Sequence, residues 1–396
     1  MKNYKHNDAI ETFFKMAQVD SESFHETPMV DFLLEEIKRR NWNCKTEVQS
    51  VSVKNLPDDL QIPFTQEERQ IETKQLVVTI DANDKTKEPI FLCAHIDTVT
   101  PGKGIKPVID ENDVIHSDGT TILGSDDKSG VSAILCAVDF VLKNNLPHGK
   151  LVLFFVALEE RGHVGALHSQ AEKYGVNYGY VFDTMYQIGR IVERDQHGQT
   201  VRICIKAKEM RNHTAACLSN NSLTAAVDLS AKFTKKFYDK EDMTFAQIVR
   251  LDNTYQKGYM VPCQTDVKFV MRSFSNEKLV SMREEVEKII NEFKMDNIEI
   301  SYTISPKNTY GFDMTKYNRG QEIMKKAETC IKEMGLDVEY VRDGLGGHDS
   351  SIFLQKGICS LVLSSGMRDI HTCNEHVTCK DLSDCCELIV KLIEKA

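Results

Sequence analysis

The chain has 396 residues, a length that favours two domains over a single hydrophobic core. Its formal net charge of -10 and the lack of any Lys/Arg cluster argue against a nucleic-acid partner, which would favour a basic face. With 41% hydrophobic and 27% charged residues and no stretch near the roughly 20 apolar residues of a membrane span, the composition suits a soluble globular enzyme held away from the membrane. The amino-terminal segment MKNYKHNDAIETFFKM has no signal-peptide core, so a cytoplasmic location is expected. Twelve cysteines, several of them inside apolar runs and none in a CxxC pair, read as reduced thiols and not as a disulfide framework or a thiolate metal site.

From Asp8 to Asn41 the apolar residues recur at helical spacing and predict two opening helices. The runs QLVVTI, PIFLCAHI, KLVLFFVAL and YGYVFD then predict strands, the middle two apolar enough to be buried on both faces. Between them, Ser129 to Asn144 reads as a helix. Strand, helix and strand in that order predict a βαβ unit, hence an α/β fold with mixed, mainly parallel sheet. After Asp183 the texture changes: VRICIKA, a helix in SLTAAVDLSAKFTKKF, the strands TFAQIVRL and DVKFVMRSF, a helix near NEKLVSMREEVEKIINEF, and IEISYTI. That β-α-β-β-α-β order, over about 115 residues, predicts an inserted ferredoxin-like domain. From about Asn308 the α/β pattern resumes with a helix, the Gly-rich DGLGGHDSS, the strand CSLVLSS and a closing amphipathic helix. The expected division is 1–188 with 307–396 as one discontinuous domain, and 189–306 as the insertion.

Acidic and histidine residues stand at the ends of these apolar runs. His95 and Asp97, two apart, can reach one side of a strand end, where a carboxylate can orient a ligating imidazole; a solvated loop is the plainer alternative. Asp126 and Asp127 precede a helix, where capping needs only one carboxylate. Glu159 and Glu160 follow KLVLFFVAL, and adjacent carboxylates repel unless a cation lies between or beside them. Asp183 ends YGYVF in the same manner, and His371 lies in a polar segment after CSLVLSS. Each has an ordinary structural explanation, yet together they offer two histidines and three carboxylates, without sulfur, which suits zinc, cobalt or manganese. One Asp shared between two ions, with two further ligands on each, leaves room for a hydrolytic water.

The motifs CAHIDTVTPGKGIKP, HSDGTTILGSDDKSG, LPHGKLVLFFVALEERGHVGA, the Asp of VFD, DGLGGHDSSIFLQKGI and DIHTCNEHV come in the order seen in the co-catalytic zinc peptidases. The chain therefore resembles that family, which includes peptidase T, glutamate carboxypeptidases and aminoacylases, and resembles its peptidase T-like branch most. The resemblance implies a zinc-binding α/β domain interrupted by a lid. It implies two Zn²⁺ ions, one held by His95, Asp126 and Asp183, the other by Asp126, Glu160 and His371. It makes Glu159 the general base and Asp97 the partner of His95, and it implies a cis peptide between Asp126 and Asp127. His213 stands where relatives carry a lid histidine, though without the preceding glycines, and Tyr259 replaces their asparagine before VP. Arg272 matches the arginine that binds the substrate carboxylate. The implied activity is hydrolysis of an amide bond in short peptides, with a homodimer through the lid within the family's habit. Alternatives are an N-acyl amino acid or dipeptide-conjugate deacylase and, in another class, a non-catalytic metal-binding scaffold.

Overall fold

The computed structural model describes residues 4–56, 64–209, 221–253, 260–305, 310–343 and 347–396. The chain opens with two amphipathic helices, α1 (Asn7–Ala17) and α2 (Thr27–Arg39), whose apolar positions 10, 13, 16, 30, 33 and 37 are all buried. They are followed by β1 (Lys45–Ser52), β2 (Glu72–Ile80), β3 (Ile90–His95), β4 (Val108–Ile109) and β5 (Val114–His116). Next come α3 (Ser125–Lys143), β6 (Leu151–Val156), α4 (Val164–His168), β7 (Tyr178–Thr184) and β8 (Arg190–Asp195). The middle of the chain holds β9 (His197–Ala207), α5 (Ser222–Lys236), β10 (Tyr238–Asp239), β11 (Thr244–Asn253), β12 (Gln264–Ser273), α6 (Asn276–Glu292) and β13 (Ile298–Ile304). It closes with β14 (Phe312–Asp313), α7 (Asn318–Glu333), β15 (Glu339–Asp343), α8 (Asp349–Gln355), β16 (Cys359–Ser364), β17 (His376–Thr378) and α9 (Cys379–Glu394).

The large sheet runs β1-β2-β6-β3-β7-β16-β8-β14, with β15 added against β8. Its centre, β6-β3-β7-β16, is parallel, and its flanks are mostly antiparallel. Every residue of these four central strands is buried, because helices pack over them and the strands carry no polar face to turn to water. Helix α3 lies against β3 and β7 and also meets α1 and α9, while α7 and α8 pack on β16. One apolar cluster unites the sheet with α2, α3, α7, α8 and α9. The mixed α/β architecture with a mainly parallel core is thus as the sequence predicts.

A second sheet, β10-β11-β12-β9-β13, is antiparallel throughout. Its core alternates along the strands, with Val201, Ile203 and Ile205 of β9 and Val267, Phe269 and Met271 of β12 facing Leu229 and Phe233 of α5 and Val286 and Ile290 of α6. The order matches the predicted βαββαβ unit. Strand β8 lies within the expected 189–306 insertion, yet its hydrogen bonds join the large sheet, antiparallel to β14 and β16 and parallel to β15. The chain therefore passes from one sheet to the other at Gln196, between β8 and β9.

Candidate metal centre

Parallel pairing decides where the site forms. His95 of β3 is in register with Val156 of β6, and Cys93 with Val181 of β7, so these strands end along one edge. His95 ends β3, Asp183 lies near the end of β7, and Glu159 and Glu160 follow β6. Asp126 approaches from the start of α3, where Gly124 adopts φ 73, Asp126 and Asp127 depart from helical geometry and the peptide between them is cis. Asp127 does the capping here, accepting from the Gly130 N–H at 3.2 Å and from the His95 N–H at 3.3 Å. The Asp126 carboxylate is left for the cluster. His371, at φ 63, comes from the loop between β16 and β17.

Each oxygen of Asp126 faces a different histidine. Its Oδ1 is 3.0 Å from His95 Nε2, and its Oδ2 is 3.1 Å from His371 Nε2. His95 Nε2 also lies 3.8 Å from Asp183 Oδ1, and His371 Nε2 lies 2.8 Å from Glu160 Oε1. Two donor groups result, His95–Asp126–Asp183 and Asp126–Glu160–His371, each compact enough to surround one ion. Asp97 supports both. Its carbonyl accepts from His95 Nδ1 at 2.9 Å, closer than its own carboxylate at 3.5 Å. Its carboxylate accepts from the Glu159 N–H at 3.0 Å, the Glu160 N–H at 3.3 Å and the Ser23 hydroxyl at 2.8 Å. Asp97 thus fixes both the imidazole ring and the turn that carries the two glutamates.

Burial raises the Glu160 carboxyl to about 8, with the Asp126 charge adding to it and the His371 bond opposing it. Burial also lifts Asp183 well above the carboxylate range. For Asp126 burial acts in the same direction, but bonds to His371 and His95 outweigh it and hold the group below its ordinary value. His371 is held up at about 10 by its bonds to Asp126 and Glu160. Glu159 stays below the usual range because His163 beside it outweighs burial. Buried carboxylates at the ends of three strands, opposed by so few positive side chains, make a site that divalent cations fit, with nitrogen and oxygen donors and no sulfur. A cleft of about 570 Å³, lined by Phe24, Thr98, Glu160 and Arg161 among others, opens beside it, a volume in the range of small-ligand pockets.

His213 and Tyr259 lie outside the described residues. Arg272 sits half-buried on β12, opposite Gly198 of β9, and among the described residues no hydrogen bond or ion pair joins it to the cluster. Sequence reasoning missed Glu375. Its buried carboxylate accepts from the N–H groups of Leu123 (2.8 Å), Gly124 (2.9 Å) and Asp126 (2.9 Å) and from the Ser125 hydroxyl (2.7 Å), so it pins the turn that presents Asp126. Its place four residues after His371 in the same motif was the one available signal. His163 and Asp349 were missed too: His163 is only four residues from Glu159, but the spacing gives no sign that its ring turns to that carboxylate, and Asp349 is far from both in sequence.

The model of peptidase family M20/M25/M40 matches residues 91–395. The uncharacterized protein YqjE of Bacillus subtilis is 27% identical over 394 residues, covering 98% of each chain. Peptidase T of Alkaliphilus oremlandii is 23% identical over 427 residues, covering 97% of this chain and 98% of its own. Among solved structures, aminopeptidase PepT from Bacillus cereus aligns at 26% identity with a TM-score of 0.81 across 99% of both chains. Family match, topology and the donor groups at the sheet edge agree, and we conclude that this chain belongs to peptidase family M20/M25/M40, in its peptidase T-like branch, and is a metal-dependent peptidase.

Proposed function

We propose that the protein is a two-zinc exopeptidase that removes residues from short peptides, tripeptides first among them. The observation that carries this reading is the placement of Asp126, whose two oxygens each face one of the two histidine–carboxylate groups. In this reading His95, Asp126 and Asp183 hold one ion, and Asp126, Glu160 and His371 the other. When bound, such ions polarise the scissile carbonyl and make water a stronger nucleophile at neutral pH. Glu159 is ionised by virtue of His163, so its carboxylate can take a proton from the attacking water and return it to the leaving amine. Asp97 keeps the Glu159 backbone fixed during both transfers. Arg272, half-buried on β12, suits the carboxylate end of the peptide, which a planar fork binds in two-pronged fashion. We assign residues 189–306, apart from β8, to a lid that carries Arg272 and offers a surface for a homodimer, and give His213, outside the described residues, a substrate-binding role. None of the helices among the described residues is long and apolar enough to cross a membrane, and a cytoplasmic location accords with a short-peptide substrate.

The test is a panel of dipeptides, tripeptides and N-acyl amino acids offered to the purified protein, with metal content measured in parallel. Two equivalents of metal, chelator-sensitive release of one residue from tripeptides, and a loss of activity of at least about 100-fold in Glu159→Gln are expected. Cleavage of the N-acyl amino acids alone would move the assignment to a deacylase, and bound metal with no cleavage would make the chain a scaffold.

A further inference from the structure

In the hydrolytic scheme His163 enters only as a charge beside Glu159; its Nδ1 lies 3.0 Å from Glu159 Oε1 and 3.4 Å from Asp349 Oδ1. All three side chains are buried. They come from separate parts of the fold: the turn after β6, the start of α4 and the first residue of α8. The ring is confined on its other side as well. It meets the Tyr310 ring edge-on, with centroids 5.1 Å apart. Gly347, at φ +108, a conformation that favours glycine, comes so near that a Cβ there would stand 3.1 Å from His163 Nε2. Between two carboxylates Nδ1 must carry its proton, since a bare ring nitrogen would set acceptor against acceptor, and the contact with each is an ion pair whose N–H is in line with neither oxygen.

We propose that His163, oriented by Asp349, is a positioning residue for Glu159: it holds Oε1 in place and leaves Oε2, which bonds no described residue, to face the reacting water. This inference rests on the assignment of Glu159 as the general base. Misplacement of a base by about an ångström costs on the order of 100-fold in rate, so the expected effect falls on turnover and not on binding.

The backbone makes the test clean. His163 is left-handed, at φ +61, a conformation glycine adopts freely and asparagine tolerates. His163→Gly therefore deletes the ring without straining the chain, and His163→Asn restores an N–H where Nδ1–H was. Wild type, His163→Gly, His163→Asn, Asp349→Asn and Glu159→Gln would be compared for kcat, KM, metal content and melting temperature on the tripeptide turned over fastest by the wild type. Expected are a fall in kcat of about 10- to 100-fold for His163→Gly with KM within about two-fold of wild type, recovery of most of kcat in His163→Asn, and a smaller fall in Asp349→Asn, all with two equivalents of metal. Wild-type kcat in His163→Gly, or His163→Asn as impaired as His163→Gly, overturns the proposal. So does a third metal equivalent that disappears with the imidazole, which would make the cluster an ion site. If His163→Gly does not fold, Asp349→Asn at wild-type kcat overturns it equally. Full activity in Glu159→Gln defeats the assignment of the base itself, an outcome separate from all of these.

Discussion

At the scale of single residues, the site depends on a division of labour between neighbours of like charge. Asp127 caps the helix and binds the β3 backbone, which frees Asp126 to stand between two histidines. Glu375 completes the arrangement by gathering four donors from residues 123–126, so every strong acceptor direction of its carboxylate is in use. Glu375→Gln, which sets an amide NH₂ against those donors, is expected to cost about 2 kcal/mol of stability and to weaken metal binding by about 10- to 100-fold. The two readouts are a denaturant midpoint and competition with a chromophoric chelator; unchanged metal affinity would mean that Asp126 does not depend on this turn. Of the site residues, those at strand ends were legible in the sequence because an apolar run stopping at a carboxylate or histidine is a local pattern. Glu375 and Asp349 were not, because their partners lie across the fold, and His163, four residues from Glu159, was not because nothing local shows its ring turning to that carboxylate.

At the scale of elements, a strand-helix contact sets the depth of the site. Gly130 on the first turn of α3 sits against β7, where a Cβ would stand 2.6 Å from the Phe182 carbonyl oxygen and 2.5 Å from Asp127 Oδ1. Neither atom can give way, since one is backbone and the other holds the cap. Gly130→Ala is therefore expected to push α3 away from β7, destabilise the protein by about 1–3 kcal/mol or more, and lower metal occupancy by moving Asp126 relative to Asp183. Full metal content with an unshifted melting temperature would show that the contact relaxes elsewhere. The elements themselves were predicted where their patterns are strong: the four buried central strands, α3, and the βαββαβ unit. Strands β1 and β8 were not. β1 is an edge strand with most of its residues exposed or half-buried, and β8, RIVERD, has too few apolar residues to reveal which sheet it joins.

At the scale of the whole molecule, the large sheet is built from both ends of the chain, and its closure depends on contacts between them. Helix α1 packs on α9 as well as on α3, and His6 Nε2 lies 2.8 Å from Glu387 Oε2, with Lys5 on the same carboxylate at 2.6 Å. Burial works to raise Glu387, but its bonds to His6 and Lys5 outweigh that and bring it down to about 2. A carboxyl depressed on folding adds stability that is fully present above its unfolded value, near 4.5, and is lost as pH falls through the folded value. Glu387→Gln is thus expected to be less stable than wild type at neutral pH, with the gap closing between about pH 4.5 and pH 2. Denaturant midpoints at a series of pH values measure this, and a gap that persists unchanged into acid would show that Glu387 acts by packing and not by charge.

The sequence by itself determined the classes of secondary structure, the inserted ferredoxin-like unit and the chemical types gathered at the strand ends, because periodicity and residue chemistry are carried locally. Only the tertiary structure decided which carboxylate faces which histidine, that β8 stays with the large sheet, and that Glu375, His163 and Asp349 support the site. Those outcomes depend on register between strands far apart in the chain and on close approaches such as Gly130 to Phe182, which no local pattern encodes.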